Sequence, residues 1–405
     1  MVLVPIHKEF HLRAPPPALT WVKRTPSATG ARIGFWWLYL ALRRANKLGL
    51  TLGGAGLATA EATAAAALTV CDADPDGIFV TADYGRLKDF VKPFLSGTLG
   101  AGLTLLQMAA AGYDWMAHWE DCGGPTASAH PDFVCFRHAS AHAAAAVCLV
   151  ESKGSRGPVS DADVQADWTR QIWPNRHQRV TLPGGRYLWP TEGRLVANEL
   201  PGPDGRKRFR STVVHGEFPG GLATAAPALP VSLHDRLGWA AAGAPDWLRP
   251  DTDGAAIDWW RVQRASLRHV CRLLDLPATE AEFKVSLWDD PGSSARQHQI
   301  IRAFDELDHR RIELDWGPNG GRDAACAGRP QHVVRPDGTR WDVTLYCQYE
   351  VLSSVLWGDP ARVADGAERH QAEWGGLGQQ NIRLQGPDGF GLLAQQRSEA
   401  PPERG

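Results

Sequence analysis

The residues in this chain whose types and spacing suit chemistry are Asp132, Glu151 and Lys153. Asp132 stands in Pro131-Asp132-Phe133. Glu151 and Lys153 stand in Glu151-Ser152-Lys153-Gly154. An acid two residues before a lysine carries little weight alone. The chain has eight lysines, and two of them fit the pattern, Lys153 after Glu151 and Lys284 after Glu282. Context separates the two. Glu151 closes the apolar run Ala145–Val150 and is followed by the small Ser152 and Gly154. Glu282 follows the polar LPATEA and has no strand-like partner.

Side chains alternate along a strand, so Glu151 and Lys153 share one face. The run Asp132–Arg137 lies at hairpin distance before them, and an antiparallel neighbour can bring Asp132 beside Glu151. Two crowded carboxylates are costly unless a cation lies between them. Oxygen ligands with no soft atom nearby point to Mg²⁺, with Mn²⁺ as the substitute. Such an ion polarises a phosphoryl oxygen and lowers the pKa of a bound water. A lysine beside it can orient the attacking water and offset charge developing on phosphorus. The chemistry that follows is hydrolysis of phosphodiesters.

The surrounding sequence predicts the elements that must hold these groups. Residues 99–111 (LGAGLTLLQMAAA) predict a helix ending at Gly112. Strand-like runs follow at Tyr113–Glu120, Asp132–Arg137 and Ala145–Glu151. Ser160 then predicts an N-cap, with Asp161 and Asp163 in the first helical turn. Val164, Trp168 and Ile172 form one apolar stripe on that helix, and Pro174 ends it. Gly193–Glu199 and Phe209–Phe218 predict two more strands. The succession is helix, three strands, helix, two strands.

PDF, an apolar strand and ESKG on that succession resemble the PD-(D/E)XK nuclease superfamily, over about residues 97–218. The resemblance implies an α/β chain with a restriction-endonuclease-like core. It implies Asp132 and Glu151 as metal ligands, the Ser152 carbonyl as a further ligand, and Lys153 as the catalytic lysine. Many members carry an acid on the helix before the first strand, and 97–111 has none. Glu120, expected at the end of the first strand, is the nearest substitute. In some members a polar residue of the second helix faces the site, and Gln165 and Gln171 are the candidates here. The implied partner is nucleic acid, DNA ahead of RNA, in prokaryotic defence or DNA processing. A catalytically inactive nucleic-acid-binding or partner-docking subunit with the same fold is the alternative.

A net charge of -2 excludes a general cationic coat, so any nucleic-acid surface must be local. Two basic clusters are available. Arg206, Lys207, Arg208 and Arg210 lie at an expected hairpin tip. Arg261, Arg264 and Arg268 lie at helical spacing in 256–275, beside Trp259 and Trp260. Arginine with aromatics suits phosphates and exposed bases.

Seven cysteines without a C-x-x-C exclude a zinc ribbon and argue against a disulfide framework. Cys135, His138, His142 and Cys148 are set aside as a zinc quartet, because strand parity puts both cysteines on the face away from Asp132 and Glu151. Gly54-Ala55-Gly56 is set aside as a dinucleotide turn for want of its third glycine. His7-x-x-x-His11 lacks a zincin glutamate and lies in a segment expected to be irregular. No run has the roughly 20 strongly apolar residues of a membrane span, and no signal peptide is recognisable, so a cytoplasmic location is expected. The expected organisation is a mostly helical extension over 1–96, the nuclease core over 97–220 and a linker over 221–230. An α+β accessory domain over 231–385, where a protein partner would dock, and a polar tail over 386–405 complete it.

Overall fold

The computed structural model describes residues 2–14, 20–26, 30–46, 61–74, 77–89, 91–124, 126–137, 146–177, 179–182, 186–188, 190–201, 208–218, 256–284, 294–315, 322–335, 337–357, 372–374, 381–386 and 388–397. It is a mixed α/β structure built on two larger sheets.

The first sheet contains β1 (Val2–Ala14), β2 (Thr20–Arg24), β3 (Gly30–Ile33), β4 (Trp115–His118), β5 (Phe133–Arg137), β6 (Ala146–Ser155), β7 (Glu192–Glu199) and β8 (Arg210–Glu217). Its order is β2-β1-β8-β7-β6-β5-β4, with β3 also on β1. Strands β4, β5 and β6 are antiparallel neighbours. Strand β7 joins β6 in parallel, and β8 returns antiparallel to β7. Helices α1 (Phe35–Ala45), α2 (Val91–Ala110) and α3 (Asp161–Gln171) also belong to this part.

The N-terminal segment corrects the sequence expectation. Residues 1–96 are not a mostly helical extension, because β1 to β3 lie within them and β1 is an interior strand, parallel to β8. The boundary expected at 97 therefore cuts through one sheet. The prolines of residues 1–30 made the segment look irregular, Pro5 among them. Pro5 is accommodated where β1 pairs with the short β3, opposite Gly30, as proline is tolerated at sheet margins.

The two faces of the sheet are covered differently. Trp168 of α3 is fully buried and lies over Gly193 and Gly216, where a Cβ would meet the ring or its neighbours. Its Nε1 donates to the Gly193 carbonyl at 3.0 Å. Ser160 caps α3 by accepting from the Asp163 amide. On the other face α2 approaches so closely that Gly100 and Gly154 face each other, with the Ser96 carbonyl next to the Gly154 Cα. Thr104 Oγ1 donates to Ser152 Oγ at 3.0 Å, and Asn198 Nδ2 donates to the Gly100 carbonyl at 2.9 Å.

The C-terminal part holds α4 (Trp259–Leu273), α5 (Pro277–Lys284), α6 (Ser294–His309) and α7 (Tyr349–Trp357). The same part holds β9 (Arg311–Asp315), β10 (Arg322–Ala327), β11 (Gln331–Val334), β12 (Arg340–Gln348), β13 (Ala372–Trp374), β14 (Asn381–Gln385) and β15 (Phe390–Gln396). Helix α7 packs on β10 and β12, and α4 packs on β4 of the first sheet. The sheet order is β9-β10-β12-β15-β14-β13, with β11 on β12. This part packs against the first. Arg43 of α1 donates to Gln331 Oε1 at 2.6 Å, and Arg44 pairs with Asp388. The linker expected over 221–230 lies outside the described residues. The polar tail expected over 386–405 is corrected, because Phe390–Gln396 is β15, a buried strand paired with both β12 and β14. No described helix is long and apolar enough to cross a membrane. All seven cysteines are buried and free.

Candidate active site

Register places the three candidate residues. Phe133 pairs with Val150, so Asp132 stands next to Glu151 where β5 begins. Strand β6 runs on to Ser155, four residues beyond the expected end at Glu151, so Lys153 is held by the sheet. The Ser152 amide donates to Asp132 Oδ2 at 2.9 Å, which ties the start of β5 to β6. N–H and C=O of one strand residue face the same edge, so the Ser152 carbonyl faces the Asp132 side. Lys153 Nζ lies 2.6 Å from Glu151 Oε1 and 3.9 Å from Asp167 Oδ2.

Burial dominates the electrostatics. Glu151 is 2% exposed. Burial, then the Asp132 charge, pushes its carboxyl up to about 7, against the pull of Lys153 and of Gln171. Asp132 is also raised, first by burial and further by Glu120. The Ser152 amide, Lys153 and His130 work in the opposite direction. Glu151 Oε2 is enclosed and has no hydrogen-bond partner among the described residues. A buried carboxylate oxygen left this way is costly. An acceptor with no well-formed hydrogen bond, beside a second carboxylate and facing the Gln171 amide, is an environment that a divalent cation fits.

The other candidates divide. Gln171, on the last turn of α3, faces Glu151, whereas Gln165 has no described contact with these groups. Glu120 is not on the strand. It is itself exposed, starts the 3₁₀ turn Glu120–Cys122, and acts on Asp132 through charge. Sequence reasoning missed Asp167 and His130. The spacing of Asp167 and Gln171, one helical turn apart, is the signal that could have found Asp167.

The basic clusters are mostly engaged within the fold. Arg206 and Lys207 lie outside the described residues. Arg208 lies over the Phe79 ring, and Arg210 is paired with Glu199. Arg264 is 5% exposed, stacks on Phe283 and donates to the Glu282 carbonyl. Arg268 pairs with Glu280 at 2.8 Å. The expectation that Arg264 and Arg268 form an exposed nucleic-acid surface is therefore corrected. They join α4 to α5. Arg261 lies on α4, and its side chain is outside the described residues. Glu282, before Lys284, is buried against Arg264.

No family model, no curated protein and no solved structure matches this chain.

Proposed function

We propose that the protein is a metal-dependent nuclease of divergent PD-(D/E)XK type that hydrolyses phosphodiester bonds in DNA. The observation that carries this reading is the meeting of Asp132, Glu151 and Lys153 at one strand end, with Glu151 Oε2 buried and unbonded. Asp132, Glu151 and the Ser152 carbonyl would hold Mg²⁺ or Mn²⁺. The ion, when bound, supplies polarisation of a phosphoryl oxygen and a lowered pKa for water.

The chain's own residues have distinct tasks. The Ser152 amide fixes the Asp132 carboxylate. Glu151 and Asp167 hold the Lys153 ammonium, whose protons orient the attacking water and face the charge that develops on phosphorus. Gln171 sets the orientation of Glu151 from the helix side.

A second reading is supported by α2, which carries no acid and turns Ser96, Gly100 and Thr104 toward β6. In that reading the chain binds nucleic acid without cutting it.

The test is incubation with plasmid, linear and single-stranded DNA and with RNA, in Mg²⁺, Mn²⁺ or EDTA. Wild-type protein is compared with Asp132→Ala and Lys153→Ala. Cleavage that needs the ion and is lost in both variants is the expected result. Cleavage in EDTA, or in both variants, refutes the mechanism. Binding without cleavage by wild-type protein supports the second reading.

A further inference from the structure

A second group of metal-ligating side chains lies on the other face of the first sheet. Glu9 and His11 stand two residues apart on β1, so they share a face. His11 is directly beside His215 in the parallel β1–β8 register. The ligand atoms of Glu9, His11 and His215 lie within 4.8 Å of one another. His11 Nε2 is 2.8 Å from Glu9 Oε1, and the two imidazole rings meet edge to face at 5.1 Å.

The ladder fixes which face this is. Phe10, Val214, Leu195 and Glu151 are successive partners across β1, β8, β7 and β6. His11, His215, Arg194 and Val150 form the next row. Neighbouring rows project to opposite faces. The Glu9–His11–His215 group is thus separated from Asp132, Glu151 and Lys153 by the thickness of the sheet.

Its surroundings suit an ion. Glu192 Oε2 lies 2.6 Å from His215 Nε2. Glu192 is itself held by Arg194 and by the Tyr113 hydroxyl. A metal-binding histidine usually has a carboxylate beside it to fix its ring orientation and tautomer. Glu192 is near enough to take that place, although its approach to Nε2 lacks hydrogen-bond geometry. The side chains are sheltered yet reachable, with His11 at 21% and His215 at 12% exposure. Two imidazoles and one carboxylate are the donor set of a borderline transition ion, and not of Mg²⁺. Zinc ligands at about 2.0–2.1 Å from the ion stand roughly 3.3 Å apart in a tetrahedron, so a small adjustment brings these side chains onto one ion.

We propose that Glu9, His11 and His215 form a binding site for one divalent transition ion of the zinc class, which clamps the N-terminal strand β1 onto β8. It joins segments from distant parts of the chain where sequence-local forces cannot. The site stands independently of the nuclease reading.

The test uses the full chain carrying Asp132→Asn and Glu151→Gln, so that the other carboxylate site is removed. Metal-stripped protein is titrated with Co²⁺ and with Zn²⁺ in excess Mg²⁺. The expected result is one equivalent bound, with a visible Co²⁺ absorption band, and a higher Tm with Zn²⁺. Adding His11→Asn or His215→Asn should lower Zn²⁺ affinity at least tenfold. X-ray absorption on the zinc-loaded protein should count two imidazoles, a measurement that does not depend on those variants folding. No stoichiometric binding, binding unchanged when both histidines are replaced, or a zinc shell without imidazole each overturns the site.

Discussion

Lys153 Nζ sits 2.6 Å from Glu151 Oε1, while Glu151 Oε2, on the same carboxylate, is buried without a hydrogen bond among the described residues. One oxygen is neutralised, and the other would face the proposed cation. The lysine is positioned by the carboxylate and is also free to reach beyond it, since it is only half-buried.

Lys153→Ala should lower cleavage by at least about a hundredfold, on the scale of losing one stabilising group for transition-state charge. Lys153→Arg should be similarly impaired, because the guanidinium is planar and larger and cannot take the ammonium's place between Glu151 and Asp167. Single-turnover cleavage rates at saturating Mg²⁺ provide the measurement. Wild-type rates in the arginine variant would show that Lys153 serves only as a charge.

Glu151→Gln should abolish cleavage and raise the stability of the metal-free protein at pH 8. The raised carboxyl means that the fold accommodates the neutral form better than the charged one. An amide resembles the neutral form, so the gain is on the order of 2 kcal/mol. Urea unfolding in EDTA measures it. A large loss of stability would show that the Lys153 pair outweighs burial.

The same shift sets a pH dependence. A carboxyl near 7 in the folded state, against an ordinary value near 4.5, binds a proton that the unfolded chain has released. Metal-free stability should therefore fall as pH rises from about 4.5 to about 7 and level off above that. Mg²⁺ must displace that proton, so its stabilising effect should be small at pH 5.5 and larger at pH 8. Thermal unfolding with and without Mg²⁺ at both pH values tests this. Equal Mg²⁺ shifts would place the ion elsewhere.

Gly154→Ala should weaken both fold and activity. The added Cβ would fall 1.8 Å from the Ser96 carbonyl. Helix α2 must then move off β6 next to Lys153. A loss of roughly 1–3 kcal/mol is expected for such overpacking. Denaturant unfolding and cleavage rate should decline together.

Arg264→Ala should destabilise the chain without changing its affinity for DNA. The side chain is buried on Phe283 and bonded to the Glu282 carbonyl. Its removal would weaken the charge balance of the buried Glu282 and empty the site against Phe283, at a cost of about 3–5 kcal/mol. Unfolding and fluorescence-anisotropy binding separate the two effects. Weaker DNA binding at unchanged stability would restore Arg264 to the nucleic-acid surface.

Features that depend on neighbours along the chain were legible in the residues alone. Alternation along β6 put Glu151 and Lys153 on one face, and the short separation from Asp132 allowed an antiparallel pair. Ser160 and the Val164–Trp168–Ile172 stripe defined α3, because capping and periodicity are local signals. Tertiary structure alone decided the rest. A parallel partnership between β1 and β8 has no local sign, since nothing near His11 announces His215, and the Pro5 segment looks irregular until β3 pairs with it. Helical spacing marked Arg264 and Arg268 as a cationic face but could not say what covers it. The same period serves a solvated face and one buried against α5, and only the packing of distant residues distinguishes them.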